Sequence, residues 1–139
     1  VTKTDQEIIT GITKKMGEAQ TGDEITEFWH KNATWFDLQF YSKKGFENCR
    51  NEFREQFAKI TNVRTGFLEI EAYVDGSVGF VQSIQHFQCD NVDGASSTEF
   101  LTRQTDGYIK ENGEWKLIHQ HVSLPTDFRT GKAIFSTEL

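Results

Sequence analysis

Residues 115–125 read WKLIHQHVSLP, and the way this stretch is read decides the architecture. Its apolar–polar alternation predicts a strand, on which successive side chains take opposite faces. His119, His121 and Ser123 then share a face, and Ile118, Gln120 and Val122 share the other. Three reactive groups in a row fit a metal site, a catalytic cluster or a polar face packed against another surface. A metal centre needs at least three converging ligands. The remaining candidates are His86, Asp106 and Glu99, and parity turns His86 and Asp106 away, so no metal is expected. Ser123 lacks the GxSxG turn that would present it as a nucleophile. The histidines are therefore read as packing against a second subunit or the C-terminal segment DFRTGKAIF (127–135).

Working outward, ENGE (111–114) is a hairpin signal that joins this strand to another near Thr98–Lys110. DNVDGASS (90–97) reads as a loop, preceded by a strand from Val78 to Cys89 and a tight turn at DGS (75–77). Before that turn, Leu68, Ile70, Ala72 and Val74 alternate with Phe67, Glu69, Glu71 and Tyr73. The N-terminal half keeps helical spacing instead. Thr4 and Glu7 form a capping box ahead of Ile8, Ile9, Ile12 and Met16. A second helix is predicted from Thr21, placing Ile25, Phe28 and Trp29 on one side. ATWFDLQF (33–40) reads as a short strand, and Phe46, Cys49, Phe53, Phe57 and Ile60 stripe a third helix. With no repeat, no linker and a single proline, residues 1–139 form one α+β domain.

Acidic residues outnumber basic ones 21 to 15, for a net charge of −6. No basic patch offsets this, so neither nucleic acid nor a membrane surface is the expected partner. The apolar runs fall short of a membrane span, and no signal-like segment is evident, which makes a cytoplasmic location the default expectation. Cys49 and Cys89 are read as reduced, buried thiols. Twelve phenylalanines, three tryptophans and three tyrosines suit a packed core or an apolar small-molecule cavity equally.

The run Arg103-x-Thr105, followed by GEWKLIHQHVSLP and DFRTGKA (127–133), resembles the SnoaL-like branch of the nuclear transport factor 2-like superfamily, which includes ketosteroid isomerases. The resemblance spans the whole chain. It implies a cone: a curved antiparallel sheet wrapped around three N-terminal helices, a cystatin-like arrangement with a pocket at its open end. It also implies a homodimer through the convex sheet face, for which Trp115, His119, His121 and Arg103 are the expected contacts.

Within that frame ATWFDL (33–38) looks like the stretch that bears the isomerases' general base, so Asp37 is the expected base, with His86 assisting. The isomerases' proline after that aspartate is Leu38 here, and their oxyanion-stabilising pair has no clear counterpart. Trp35, Tyr41, Gln82, Phe100, Thr102 and Gln120 are the expected ligand-binding residues. Two functions follow. The first is a cofactor-free isomerase, cyclase or dehydratase acting on a carbonyl-bearing, mostly apolar molecule. The second is a ligand-binding or assembly domain without chemistry.

Overall fold

A computed structural model describes residues 2–139. Helix α1 (Asp5–Glu18) starts at the expected capping box: Thr4 N–H donates to Glu7 Oε1 at 3.0 Å and Glu7 N–H to Thr4 Oγ1 at 3.1 Å. Its inward stripe buries Ile9, Ile12, Thr13 and Met16. Helix α2 (Gly22–Ile25) is a single turn capped by Thr21. It stops early because the buried Thr26 hydroxyl donates back to the Gly22 carbonyl at 2.7 Å, closing the turn on itself. Trp29, expected on this helix, instead opens strand β1 (Trp29–Phe36). After the short β2 (Lys43–Lys44), helix α3 (Phe46–Phe57) buries Cys49 and Phe53.

The second half is a meander of long strands: β3 (Ile60–Asp75), β4 (Val78–Asn91), β5 (Ser97–Glu111) and β6 (Glu114–Ser123). The sheet order is β2-β1-β6-β5-β4-β3. Every neighbouring pair is antiparallel except β1 and β6, which run parallel. A minor hairpin of β7 (Thr126–Asp127) and β8 (Lys132–Ala133) follows. Register shifts interrupt β3 against β4 and β6 against β5. Such bulges bend a strand and sharpen its twist, and they curve this sheet around the helices.

The bulges also decide which residues face inward. Gly107 pairs with His119 and Tyr108 with Leu117, which leaves Ile118 as the extra residue on β6. Trp115 and Leu117 therefore face the helices with Gln120 and Val122, and parity flips between the two pairs. This corrects the assignment of Trp115 to the convex face. Its ring is 4% exposed, and its indole N–H donates to Asp5 Oδ1 at 2.9 Å. On the concave side Ile9, Ile12 and Met16 of α1 and Phe53 of α3 join Trp29, Trp35, Val81, Tyr108, Trp115 and Leu117 in one core.

Candidate functional site

The open end of the curved sheet holds a cavity of about 420 Å³ between α3, the β1–β2 turn and the inner faces of β3 to β6. That volume is within the range of small-molecule sites. Its wall is largely aromatic, with Trp35, Phe53, Phe57, Phe87 and Phe100 among the lining residues. Trp35 stacks on Phe53 with ring centroids 3.8 Å apart and meets Phe40 edge-on. The Trp35 indole N–H is sealed from solvent and has no protein partner. An unpaired buried donor is costly, and here it belongs to a side chain that borders an empty volume.

Asp37 lines the cavity where the chain leaves β1. Burial raises its pKa above the ordinary carboxylate value. The nearby N–H groups of Leu38 and Gln39 and the Gln56 amide, 3.4 Å away, offset part of that shift, while neighbouring Glu52 adds to it. Desolvation of this kind converts a weak base into one closer to the pH at which it works. Glu52, Glu55 and Lys59 complete the charged lining, so acidic groups outnumber basic ones there.

Of the residues expected at the site, Asp37, Trp35, Phe100, Thr102 and Gln120 line this cavity. Tyr41, Gln82 and His86 do not. Tyr41 is 98% exposed within the β1–β2 connection, because Phe40 rather than Tyr41 turns in to pack on Trp35. Gln82 and His86 project from the convex face, since β4 turns its odd-numbered side chains inward: Val81, Ser83, Gln85 and Cys89 are buried. Apolar residues occupy both faces of this strand, so alternation alone could not choose between them. His86 instead pairs with Glu99 on the neighbouring strand. His119 accepts or donates to the Thr34 hydroxyl at 2.6 Å, and both His119 and His121 stand edge-on to Phe36. Partial burial and the neighbouring His121 lower the His119 pKa. Among the described residues no three His, Cys, Asp or Glu side chains are gathered as a metal site.

Behind the cavity lies a buried group that the sequence suggested only as a metal ligand, turned away from the histidines by parity. Asp106, on β5, is fully buried and receives the Thr13 hydroxyl at 3.0 Å. Gln104 Nε2 reaches both of its oxygens, at 3.1 and 3.0 Å, and Gln120 Nε2 reaches Oδ1 at 3.0 Å. The Tyr108 hydroxyl extends the network at 2.7 Å from Thr13 Oγ1. Burial lifts the Asp106 pKa from 3.8 to about 6, against the pull of its three donors. A carboxyl with a raised folded-state pKa holds its proton more tightly in the native than in the unfolded chain. Its ionisation therefore lowers native stability as pH rises from 3.8 to about 6, by about 3 kcal/mol at most. Asp106→Asn removes that term. The stability of the variant relative to wild type should accordingly improve as pH rises through this window in urea titrations. A difference independent of pH would mean that Asp106 titrates alike in both states.

The model of the SnoaL-like domain matches residues 12–127. The chain belongs to the SnoaL-like family. Solved structures agree on the fold of this SnoaL-like chain. An NTF2-like protein of unknown function from Pseudomonas putida KT2440 superposes with a TM-score of 0.83 at 21% identity, covering 96% of each chain. A candidate dehydratase of the NTF2-like family from Streptomyces avermitilis gives 0.74 at 14% identity, covering 86% of this chain and 94% of its own. A candidate ketosteroid isomerase from Parabacteroides distasonis gives 0.72 at 14%, with 87% and 88% covered. No protein with a curated description matches the chain. Among the described residues no helix of this SnoaL-like domain is long and apolar enough to cross a membrane.

Proposed function

We propose that the cavity binds a neutral, mostly apolar carbonyl compound and that Asp37 removes a proton from the carbon next to the carbonyl. The desolvated Asp37 carboxylate in an aromatic wall is the observation that carries this reading. The C–H electron pair becomes the C=C bond of an enolate as the C=O π pair moves to oxygen, and Asp37 holds the proton. Returning that proton to another carbon gives isomerisation; passing it to a β-hydroxyl, which then leaves as water while the enolate re-forms the carbonyl, gives dehydration. The step draws on no cofactor. The Thr102 hydroxyl is a donor that the wall offers to developing negative charge. Names of similar structures, a dehydratase and an isomerase, support the same reaction class. The test follows deuterium entering the α-position of para-hydroxybenzylacetone in D₂O by proton NMR. Protein-dependent exchange above the buffer rate is expected; exchange at the buffer rate would overturn the reading.

A second reading, assembly, rests on the convex face. We propose a homodimer through this face, where Arg103 binds the Ser123 hydroxyl at 3.1 Å beside exposed His121 and Phe36. Tyr73 stacks on Phe80 farther along the same face, and both rings are more than a third exposed. Apolar surface of this kind is a docking signal. Sedimentation should give a dimer for the wild type and a shift towards monomer in His121→Glu. A monomeric wild type at micromolar concentration would remove the idea.

A further inference from the structure

We infer that the inner wall formed by β4, β5 and β6 is a hydrogen-bond-acceptor subsite, which selects a ligand carrying a hydroxyl donor: a phenolic carbonyl compound rather than a plain ketone. The inference deepens the proposed function and rests on its placement of the ligand in this cavity. Three glutamines line the wall: Gln85 on β4, Gln104 on β5 and Gln120 on β6. In each, the amide nitrogen is already committed. Gln85 Nε2 donates to Ser83 Oγ at 3.0 Å, while Gln104 Nε2 and Gln120 Nε2 donate to Asp106.

An amide that gives its N–H to one side must turn its carbonyl to another. Among the described residues no protein donor reaches the three glutamine Oε1 atoms. The sealed, unpartnered side-chain atoms among the described residues are Trp35 Nε1 and Arg50 Nε alone. The glutamine oxygens are therefore open, and since all three side chains border the cavity, they open into it.

A glutamine amide can present either its N–H or its carbonyl to a given neighbour. Here chemistry resolves two of the three. An ionised carboxylate can only accept, so Gln104 and Gln120 must each present N–H to Asp106. Asp106 is thus a positioning residue: it fixes which end of two amides the ligand meets. The rim reinforces the choice. Asp37, Glu52 and Glu55 disfavour an anionic ligand, and Lys59 is the single cationic side chain in the lining. A ligand that brought only acceptors would leave the wall's carbonyls unpaired, and sites built to receive a hydroxyl reject analogues that lack it.

The test compares para-hydroxybenzylacetone with its methyl ether, which differ by the one donor, using calorimetric titration of the whole chain. The phenol should bind about 10- to 100-fold more tightly. In Asp106→Asn the carboxamide can donate as well as accept, the two glutamines are free to turn over, and the preference should shrink severalfold. Gln85→Met, which leaves the Asp106 network intact, should also reduce it. Equal affinity for the two probes, no binding of either, or a preference unchanged in both variants would overturn the inference. Deuterium exchange into the same ketones separates the two proposals. A phenol preference without exchange leaves the acceptor wall and sinks the catalytic reading. Equal binding with Asp37-dependent exchange does the opposite.

Discussion

Asp37→Asn is expected to slow deuterium exchange into a bound ketone by about 10²- to 10⁴-fold, the usual contribution of a positioned general base. Asparagine keeps the shape of the side chain and can still accept from Gln56, but it cannot take up the proton. The pH profile sharpens the test. A general base works in its ionised form, so the wild-type rate should rise with pH as Asp37 loses its proton. The midpoint should lie above the ordinary aspartate value because burial raises the pKa. In Asp37→Asn that limb should vanish and leave a flat residual rate. Folding should survive, since the side chain's polar partners are the neighbouring Leu38 and Gln39 N–H groups and a long bond from Gln56, all of which an asparagine oxygen can still meet, and it belongs to no part of the core. An undiminished rate in a folded variant would remove Asp37 as the base, while a lost rate with retained binding would tie the chemistry to this carboxylate.

What the sequence made legible was whatever depends on neighbours a few residues apart. The Thr4–Glu7 capping box and the stripe of α1 are local, and both hairpin turns are announced by their own glycines at positive φ, Gly76 and Gly113. Phe100 and Thr102, both expected at the ligand site, do share the inner face, because β5 pairs along its length opposite β4 without a break in register. Parity failed where an extra residue enters. Ile118 on β6 flips Trp115 and Leu117 inward relative to the histidines that follow. On β3 a register shift between Phe67 and Glu69 leaves Leu68 exposed, although it shares the sequence parity of the apolar Ile70, Ala72 and Val74. A bulge is set by pairing across strands and leaves little trace in one of them. Asp106 shows the reverse case. It shares the even parity of Phe100 and Thr102, so strand alternation from those two expected site residues places a carboxylate on the same inner face. Its partners, Thr13 from α1 and Gln120 from β6, come from distant parts of the chain, and only the fold brings them together.

Trp29→Ala should cost about 3–5 kcal/mol of stability, the range for removing a large aromatic from a packed core. Trp29 is 3% exposed and stands edge-on to Trp35 and Phe53, with centroids 5.9 and 5.3 Å apart. Its indole N–H points at the Met16 sulfur at 3.3 Å, so one ring ties α1, β1 and α3 together. Alanine would leave a void that three different elements cannot close without moving relative to one another, and such voids add to the lost transfer free energy. With a urea dependence of about 1–3 kcal/mol per molar, the unfolding midpoint should fall by roughly 1–5 M. Trp29 lies outside the cavity lining, whereas Trp35, its neighbour in the cluster, borders it. The two tryptophans should therefore separate. Below its lowered midpoint Trp29→Ala should keep the phenol preference, while Trp35→Phe, which keeps a stacking ring but removes part of the lining, should change ligand affinity with a smaller loss of stability. A Trp29→Ala cost under about 1 kcal/mol would mean that the helices are held on the sheet elsewhere, by Ile9, Ile12 and the buried Thr13–Asp106 contact.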